Sequence, residues 1–332
     1  MIKRKIGKTD LAVSEYSFGC ASIGGLYEAC SYEDAMSVMD SAWDHGIRFF
    51  DTAPFYGFGL AERRLGDFLR QQEPDAWVIS TKVGRILNPV PHDKVPDHSF
   101  VDPLPFGVTH DYSYDGIMRS VEASYNRLGL NRIDIVYVHD IGTFTHGVEG
   151  NAVHFKALMD SGLKALEQLK SEGTISAYGL GVNEVQVCVD VMKRAPIDCI
   201  LLAGRYSLLD RSAEAELLPL CEEQQTSLVI GGVFNSGILA TGAVPGAHFN
   251  YEPASPEVMW KVSGMEAVAR SVGLTLAHPA IQFPLHHPAV ASVLIGTAKV
   301  SSLTRNLDLA KIPISSHIFS LFDPYVIKRD KY

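Results

Sequence analysis

Four polar residues stand where apolar stretches of this sequence end. Asp51 closes IRFFD, Lys82 closes WVISTK, His139 closes IDIVYVH, and Tyr56 follows Asp51 by five residues. A tyrosine has an ordinary pKa of about 10, too high for easy proton exchange at neutral pH. A nearby lysine cation favours the phenolate and is expected to lower that value. A buried lysine needs a counter-charge, and Asp51 can supply it. A histidine beside the phenol can orient a substrate oxygen and share the proton. This is an acid/base set without an obvious nucleophile or metal cluster, and it suits proton transfer coupled to hydride transfer. Each residue alone has an ordinary role as helix cap, packing group or solvated charge. The chemistry requires a fold that brings all four to one place.

The elements around them predict such a fold. Lys3–Ile6 and Leu11–Val13 flank a Gly7–Asp10 turn and read as a β-hairpin. Short apolar strands then alternate with amphipathic helices. Strands are expected near 16–19, 47–52, 77–81, 133–139, 177–181, 199–202, 227–230 and 292–295. Helices are expected near 32–44, 60–71, 115–128, 161–172, 184–194, 214–224, 257–271, 277–285 and 301–310. Ser31 with Asp34 three residues on resembles a capping box. Apolar strands joined by helices imply a parallel sheet covered on both faces. About eight such units without a break in composition predict one (β/α)₈ TIM barrel over residues 1–332, with the hairpin at its start. A barrel gathers strand-end residues at its C-terminal mouth. Two long connections, Gly84–Tyr114 with five prolines and Ile141–Phe155, are read as loops on that face. Phe55, Arg85 and Asp140 are candidate substrate-pocket residues there.

Composition narrows the partners. The chain of 332 residues is 46% hydrophobic and carries a formal net charge of −9, with no basic stripe to suit nucleic acid. No run of about 18 apolar residues suggests a membrane span, and no leader of signal-peptide type is seen, so a cytoplasmic location is expected. Five scattered cysteines without a Cys-x-x-Cys pair are expected to be reduced thiols. His286-His287 has no carboxylate partner on a strand end, and no metal site is expected.

The motifs also carry a resemblance. FDTAPFYGFGLAERRLG (50–66), WVISTKVGR (77–85) and LGLNRIDIVYVHD (128–140) resemble, in that order, the catalytic segments of the aldo-keto reductases. The likeness implies a TIM barrel, a nicotinamide cofactor held without a Rossmann fold, and the tetrad Asp51, Tyr56, Lys82 and His139. DYSYDGIMRS (111–120), LLAGRYSLLD (201–210) and GLGVNE (179–184) resemble the family's bacterial aldose 1-dehydrogenases, which act on sugars such as L-fucose, and its pyridoxal 4-dehydrogenases. That implies oxidation of a cyclic hemiacetal to a lactone, with a sugar or pyridoxal-like substrate.

No Gly-x-Gly-x-x-Gly joins a strand to a helix. Barrels place phosphates after strands seven and eight. FNSGILATG and LIGTAKVSS follow those strands, so Ser236, Gly237, Leu239, Gly296 and Thr297 are candidate pyrophosphate contacts. Asn183 stands near the family's carboxamide-binding pair, and Asn306 matches its adenine-binding asparagine. Ala203 and Gly231 replace a glutamine and an aromatic usual around the nicotinamide. Gly296 and Ser302 stand where NADP-specific members carry cations, which an adenosine 2′-phosphate needs. NAD is therefore the expected cofactor, with Lys299 and Arg305 as nearby cations that leave NADP possible. The alternatives are an NADPH-dependent aldehyde or ketone reductase and, from another class, a nucleotide-sensing subunit resembling those of potassium channels. The residues leave the oligomeric state open.

Overall fold

The computed structural model describes residues 1–328. Its strands, in chain order, are β1 (Lys3–Lys5), β2 (Ala12–Ser14), β3 (Tyr16–Gly19), β4 (Phe49–Asp51), β5 (Val78–Val83), β6 (Arg85–Pro89), β7 (Phe106–His110), β8 (Ile135–His139), β9 (Ala177–Val182), β10 (Cys199–Ala203), β11 (Ser227–Gly231), β12 (His248–Phe249), β13 (Glu252–Pro253) and β14 (Val290–Gly296). Eight of them, β3, β4, β5, β8, β9, β10, β11 and β14, run parallel and close into a barrel. They pair in chain order, and β14 returns to β3 with Val293 opposite Tyr16. Around them lie α1 (Tyr32–Asp44), α2 (Leu60–Leu69), α3 (Tyr114–Leu128), α4 (Thr143–Ala157), α5 (Leu163–Ser171), α6 (Gln186–Met192), α7 (Leu217–Gln224), α8 (Ile238–Thr241), α9 (Pro256–Ser271), α10 (Ala277–Gln282) and α11 (Val300–Lys311). The fold is the expected (β/α)₈ barrel.

Strand periodicity sorts the core into two layers. Residues such as Phe18, Phe50, Val136 and Val138 face the helices. Phe49, Ile135, Tyr137, Leu201 and Val229 fill the barrel interior. The hairpin of β1 and β2 adds Ile6 and Val13 to that inner cluster and so plugs the N-terminal end. The same parity decides the site. Phe49 and Asp51, Ser80 and Lys82, and Tyr137 and His139 share a strand face in each case. The first of each pair lies deeper inside, and the second stands at the rim.

Local chemistry supports the helices. The Ser31 hydroxyl accepts from the Asp34 backbone N–H at 3.0 Å, and Ser113 and Ser255 cap α3 and α9 in the same way. The two long connections differ from expectation. Residues 84–114 contain the antiparallel pair of β6 and β7, because the prolines fall at or beyond the strand ends and leave the ladder intact. Residues 141–155 are mostly α4, kinked at Gly147, whose weak amphipathic pattern conceals a helix with no fully buried residue. A third hairpin, β12 with β13, has no counterpart among the expected elements. Among the described residues no helix is long and apolar enough to cross a membrane, and all five cysteines are free.

Candidate active site

Asp51, Tyr56, Lys82 and His139 meet at the C-terminal mouth. The Lys82 ammonium donates to Asp51 Oδ2 at 2.6 Å and to the Thr52 carbonyl at 2.9 Å. Ser80 donates to the other Asp51 oxygen at 2.7 Å. Lys82 Nζ lies 4.7 Å from the centre of the Tyr56 ring, and the Tyr56 and His139 rings stand perpendicular at 6.0 Å. Two glycines make this approach possible. A Cβ at Gly57, which follows Tyr56 with φ +60°, would lie 2.4 Å from the Gly24 carbonyl oxygen. A Cβ at Gly181 would press on the Lys82 stem at 3.3 Å. The glycines of GLGVNE are the sequence signal for the second.

Electrostatics correct one expectation. Burial outweighs the Lys82 cation, and the Tyr56 phenol is pushed up to about 12 rather than down. Lys82 relieves part of that cost through its charge and a hydrogen bond, while Asp51 opposes it. Burial works against the Lys82 charge too, but Asp51 and Tyr56 overcome it and hold the ammonium above its ordinary range. Burial, Arg85 and Lys82 push His139 well below the usual imidazole value, so its ring is neutral. The site therefore holds a protonated phenol and a neutral imidazole against a fixed ion pair.

A cavity of about 720 Å³ opens beside Tyr56 and Asp51. Gly19, Gly204, Gly231, Ser236, Gly237 and Gly296 are among its lining residues, and Ala203 stands with them. Three of the expected pyrophosphate contacts thus face one space. Leu239 does not. Its side chain is fully buried in the core, and its N–H is bonded to the Phe234 carbonyl at 3.1 Å, because the short α8 turns it inward. Thr297 Oγ1 accepts from the Lys299 N–H at 3.1 Å at the start of α11. Lys299 itself pairs with Glu28 at 2.7 Å. Asn306 is buried, and its Oδ1 has no partner among the described residues, as a donor-bearing ligand would require. Asn183 lies outside the lining, where its Oδ1 receives the Tyr251 hydroxyl at 3.5 Å. The hairpin of β12 and β13 brings Tyr251 into the cavity wall, with its N–H on Ser236 Oγ at 3.0 Å and Asn250 held by Arg205 at 2.9 Å. This glycine-lined trough fits an extended dinucleotide, and Thr297 and the unsatisfied Asn306 lie outside its lining.

On the other side of His139, the three pocket candidates do meet. Arg85 bonds Asp140 at 2.5 Å and covers the Phe55 ring with its guanidinium 4.0 Å from the centre. Phe55 stands 6.1 Å from the His139 ring, with His98 and Phe100 around it. Behind them His110, His146 and His154 cluster around Tyr112, whose hydroxyl donates to the His139 carbonyl at 2.8 Å. This support is invisible in the sequence because its members come from β7, α4 and the segment before α3.

Comparison with known proteins agrees with the geometry. Residues 16–326 match the model of the Aldo/keto reductase family. The chain is 43% identical to a pyridoxal 4-dehydrogenase of Microbacterium luteolum over 92% of each sequence. It is 36% identical to a D-threo-aldose 1-dehydrogenase of a Pseudomonas species over 93% of each. Among solved structures, an aldo-keto reductase of Bacillus halodurans in its holo form superposes with a TM-score of 0.78 at 27% identity, covering 98% of this chain and 97% of that one.

Proposed function

The chain belongs to the aldo/keto reductase family of nicotinamide-dependent oxidoreductases, and on that premise we propose that it oxidises a cyclic hemiacetal, an aldose or pyridoxal, to a lactone with NAD. The observation that carries the reading is the meeting of Tyr56, His139 and the Asp51–Lys82 pair beside the glycine-lined cavity. The choice of substrate rests on the pyridoxal- and aldose-oxidising relatives. The choice of NAD rests on the uncharged Gly296 and Ser302, and on the engagement of Lys299 by Glu28.

In this mechanism Ser236, Gly237, Gly296, Thr297 and Asn306 would hold the cofactor, with Asn183 and Tyr251 at the rim. The nicotinamide, when bound, supplies the hydride acceptor. Tyr56 and His139 hold the hemiacetal hydroxyl between phenol oxygen and imidazole. With Tyr56 ionised, the O–H proton passes to its oxygen as the C1–H bond gives up its electron pair, and the C1–O bond becomes the lactone carbonyl. Neutral His139 orients the oxygen without a competing charge. Lys82, fixed by Asp51, stabilises the tyrosinate that accepts the proton. Run in reverse, the same groups protonate a carbonyl. A cytoplasmic location belongs to the same proposal.

The test is absorbance at the reduced-nicotinamide band with NAD⁺ or NADP⁺ against L-fucose, D-arabinose and pyridoxal, with the product identified by mass. Turnover of one of them with NAD⁺ to a lactone is expected. Silence there, with reduction of simple aldehydes by NADPH, would replace this reading with the reductase one.

A further inference from the structure

We infer that Asp140 is a specificity-determining residue, which selects aldoses, with a hydroxyl on the carbon next to the reacting one, over pyridoxal, which has none there. This rests on the proposed roles of Tyr56 and His139, because it uses the position those residues give the reacting oxygen.

Strand alternation would send Asp140 away from the barrel interior, since His139 before it points inward. The backbone prevents this. Asp140 adopts φ +48°, uncommon for a residue with a Cβ, and its N–H bonds the Gly181 carbonyl at 2.8 Å. The turn brings its carboxylate back beside the histidine, with Oδ2 3.4 Å from His139 Nε2. Arg85 fixes the same oxygen at 2.5 Å, and Arg85 is itself seated on Phe55. The carboxylate is 15% exposed and the arginine 8%, so the pair is nearly closed off from water.

A nearly buried ion pair contributes little net stability, because desolvation offsets the attraction. Its strained placement calls for another reason. An acceptor one hydrogen-bond length from the imidazole matches the spacing of two oxygens on adjacent carbons. With the reacting oxygen on Tyr56 and His139, a neighbouring hydroxyl meets Asp140. A substrate without that hydroxyl displaces water from the carboxylate and returns no hydroxyl donor beside Arg85, and a site built to bond a hydroxyl rejects the analogue lacking it. Phe55, Phe100 and the Arg85 stem carry no acceptor on that wall, and His98 is the other polar ring there, 5.2 Å from Phe55.

The experiment compares kcat/KM for matched pairs: L-fucose against its 2-deoxy analogue in oxidation, and lactaldehyde against propanal in reduction. The wild-type chain is expected to favour the hydroxylated member by about tenfold to a hundredfold, the range of a hydrogen bond to a charged group. Asp140→Leu should bring both ratios close to one, and Asp140→Asn should fall between. Using ratios cancels a general loss caused by disturbing His139. A wild-type chain without preference overturns the assignment even if no variant folds, and so does a preference that survives undiminished in Asp140→Leu or Asp140→Asn. If the sugars are silent while the aldehydes turn over, the hemiacetal reading fails, and the aldehyde ratio alone decides the role of Asp140.

Discussion

At the scale of the residue, burial and charge compete for one proton. The Tyr56 phenol sits beside an ammonium, yet desolvation outweighs that charge and holds its pKa above, not below, the ordinary value. Oxidation consumes tyrosinate, so its kcat/KM should rise with pH over about pH 7 to 10, while the reductive value, which uses the phenol, should not rise. Flat oxidative kinetics over that range would remove Tyr56 as the proton acceptor. Tyr56→Phe deletes the accepting oxygen and should lower kcat by about a hundredfold to ten-thousandfold, with cofactor affinity read by fluorescence titration little changed. Near-wild-type turnover would end the assignment. Glu28 bears on the cofactor. Its exposed ion pair with Lys299 is weak in energy, and on the proposed NAD reading it would draw that cation away from a 2′-phosphate. Glu28→Gln should raise the NADP⁺ to NAD⁺ ratio of kcat/KM severalfold, and an unchanged ratio would show that Lys299 does not face the adenosine.

At the scale of the element, the wall of the site is held by side chains that join β7 to α4. His110 and His146 stand with ring centres 4.7 Å apart, and the Tyr112 hydroxyl lies 2.9 Å from His146 Nε2. Burial, the neighbouring histidines and Arg85 push both rings down to about 4. In the unfolded chain they titrate near the ordinary value of about 6.5. Between those values the unfolded state binds more protons, so stability present above about pH 6.5 is lost as pH falls toward 4. Thermal melts should show a smaller acid loss in His146→Gln than in the parent chain. An identical pH dependence would mean that His146 is already solvated. The sequence reads this wall as two loops because β6 and β7 lie far apart along the chain and α4 buries no full face. Strands and helices with one strong apolar face are legible to within a few residues. Elements held by an ion pair, a hydroxyl or a kink are not.

At the scale of the whole molecule, the C-terminal segment braces the cofactor side. Residues 316–325 form a 3₁₀ stretch that buries Phe319 and Phe322. Arg211 pairs with Asp323 at 2.7 Å, and the Ile327 N–H bonds the Leu209 carbonyl at 2.7 Å. These contacts hold the connection after β10, whose Arg205 lines the cavity. A chain ending at Lys311 should lose several kcal/mol, at about 1.5–3 kcal/mol for each large side chain uncovered, and should bind NAD⁺ more weakly. A urea midpoint and a cofactor titration equal to those of the full chain would show that the segment supports neither the fold nor the cofactor site.

The sequence by itself determined the barrel and the meeting of Asp51, Tyr56, Lys82 and His139 at its mouth. Both follow from local rules: strand parity places Asp51, Lys82 and His139 on inward faces, and the strand ends place them at one mouth. Only the tertiary structure decided that the Tyr56 phenol is pushed up rather than down, that Leu239 belongs to the core, that Asp140 turns back toward His139, and that Tyr251 reaches the cavity. Each of these depends on what surrounds a side chain in space. Desolvation and hydrogen-bond partners come from residues tens of positions away, and no period in the sequence encodes them.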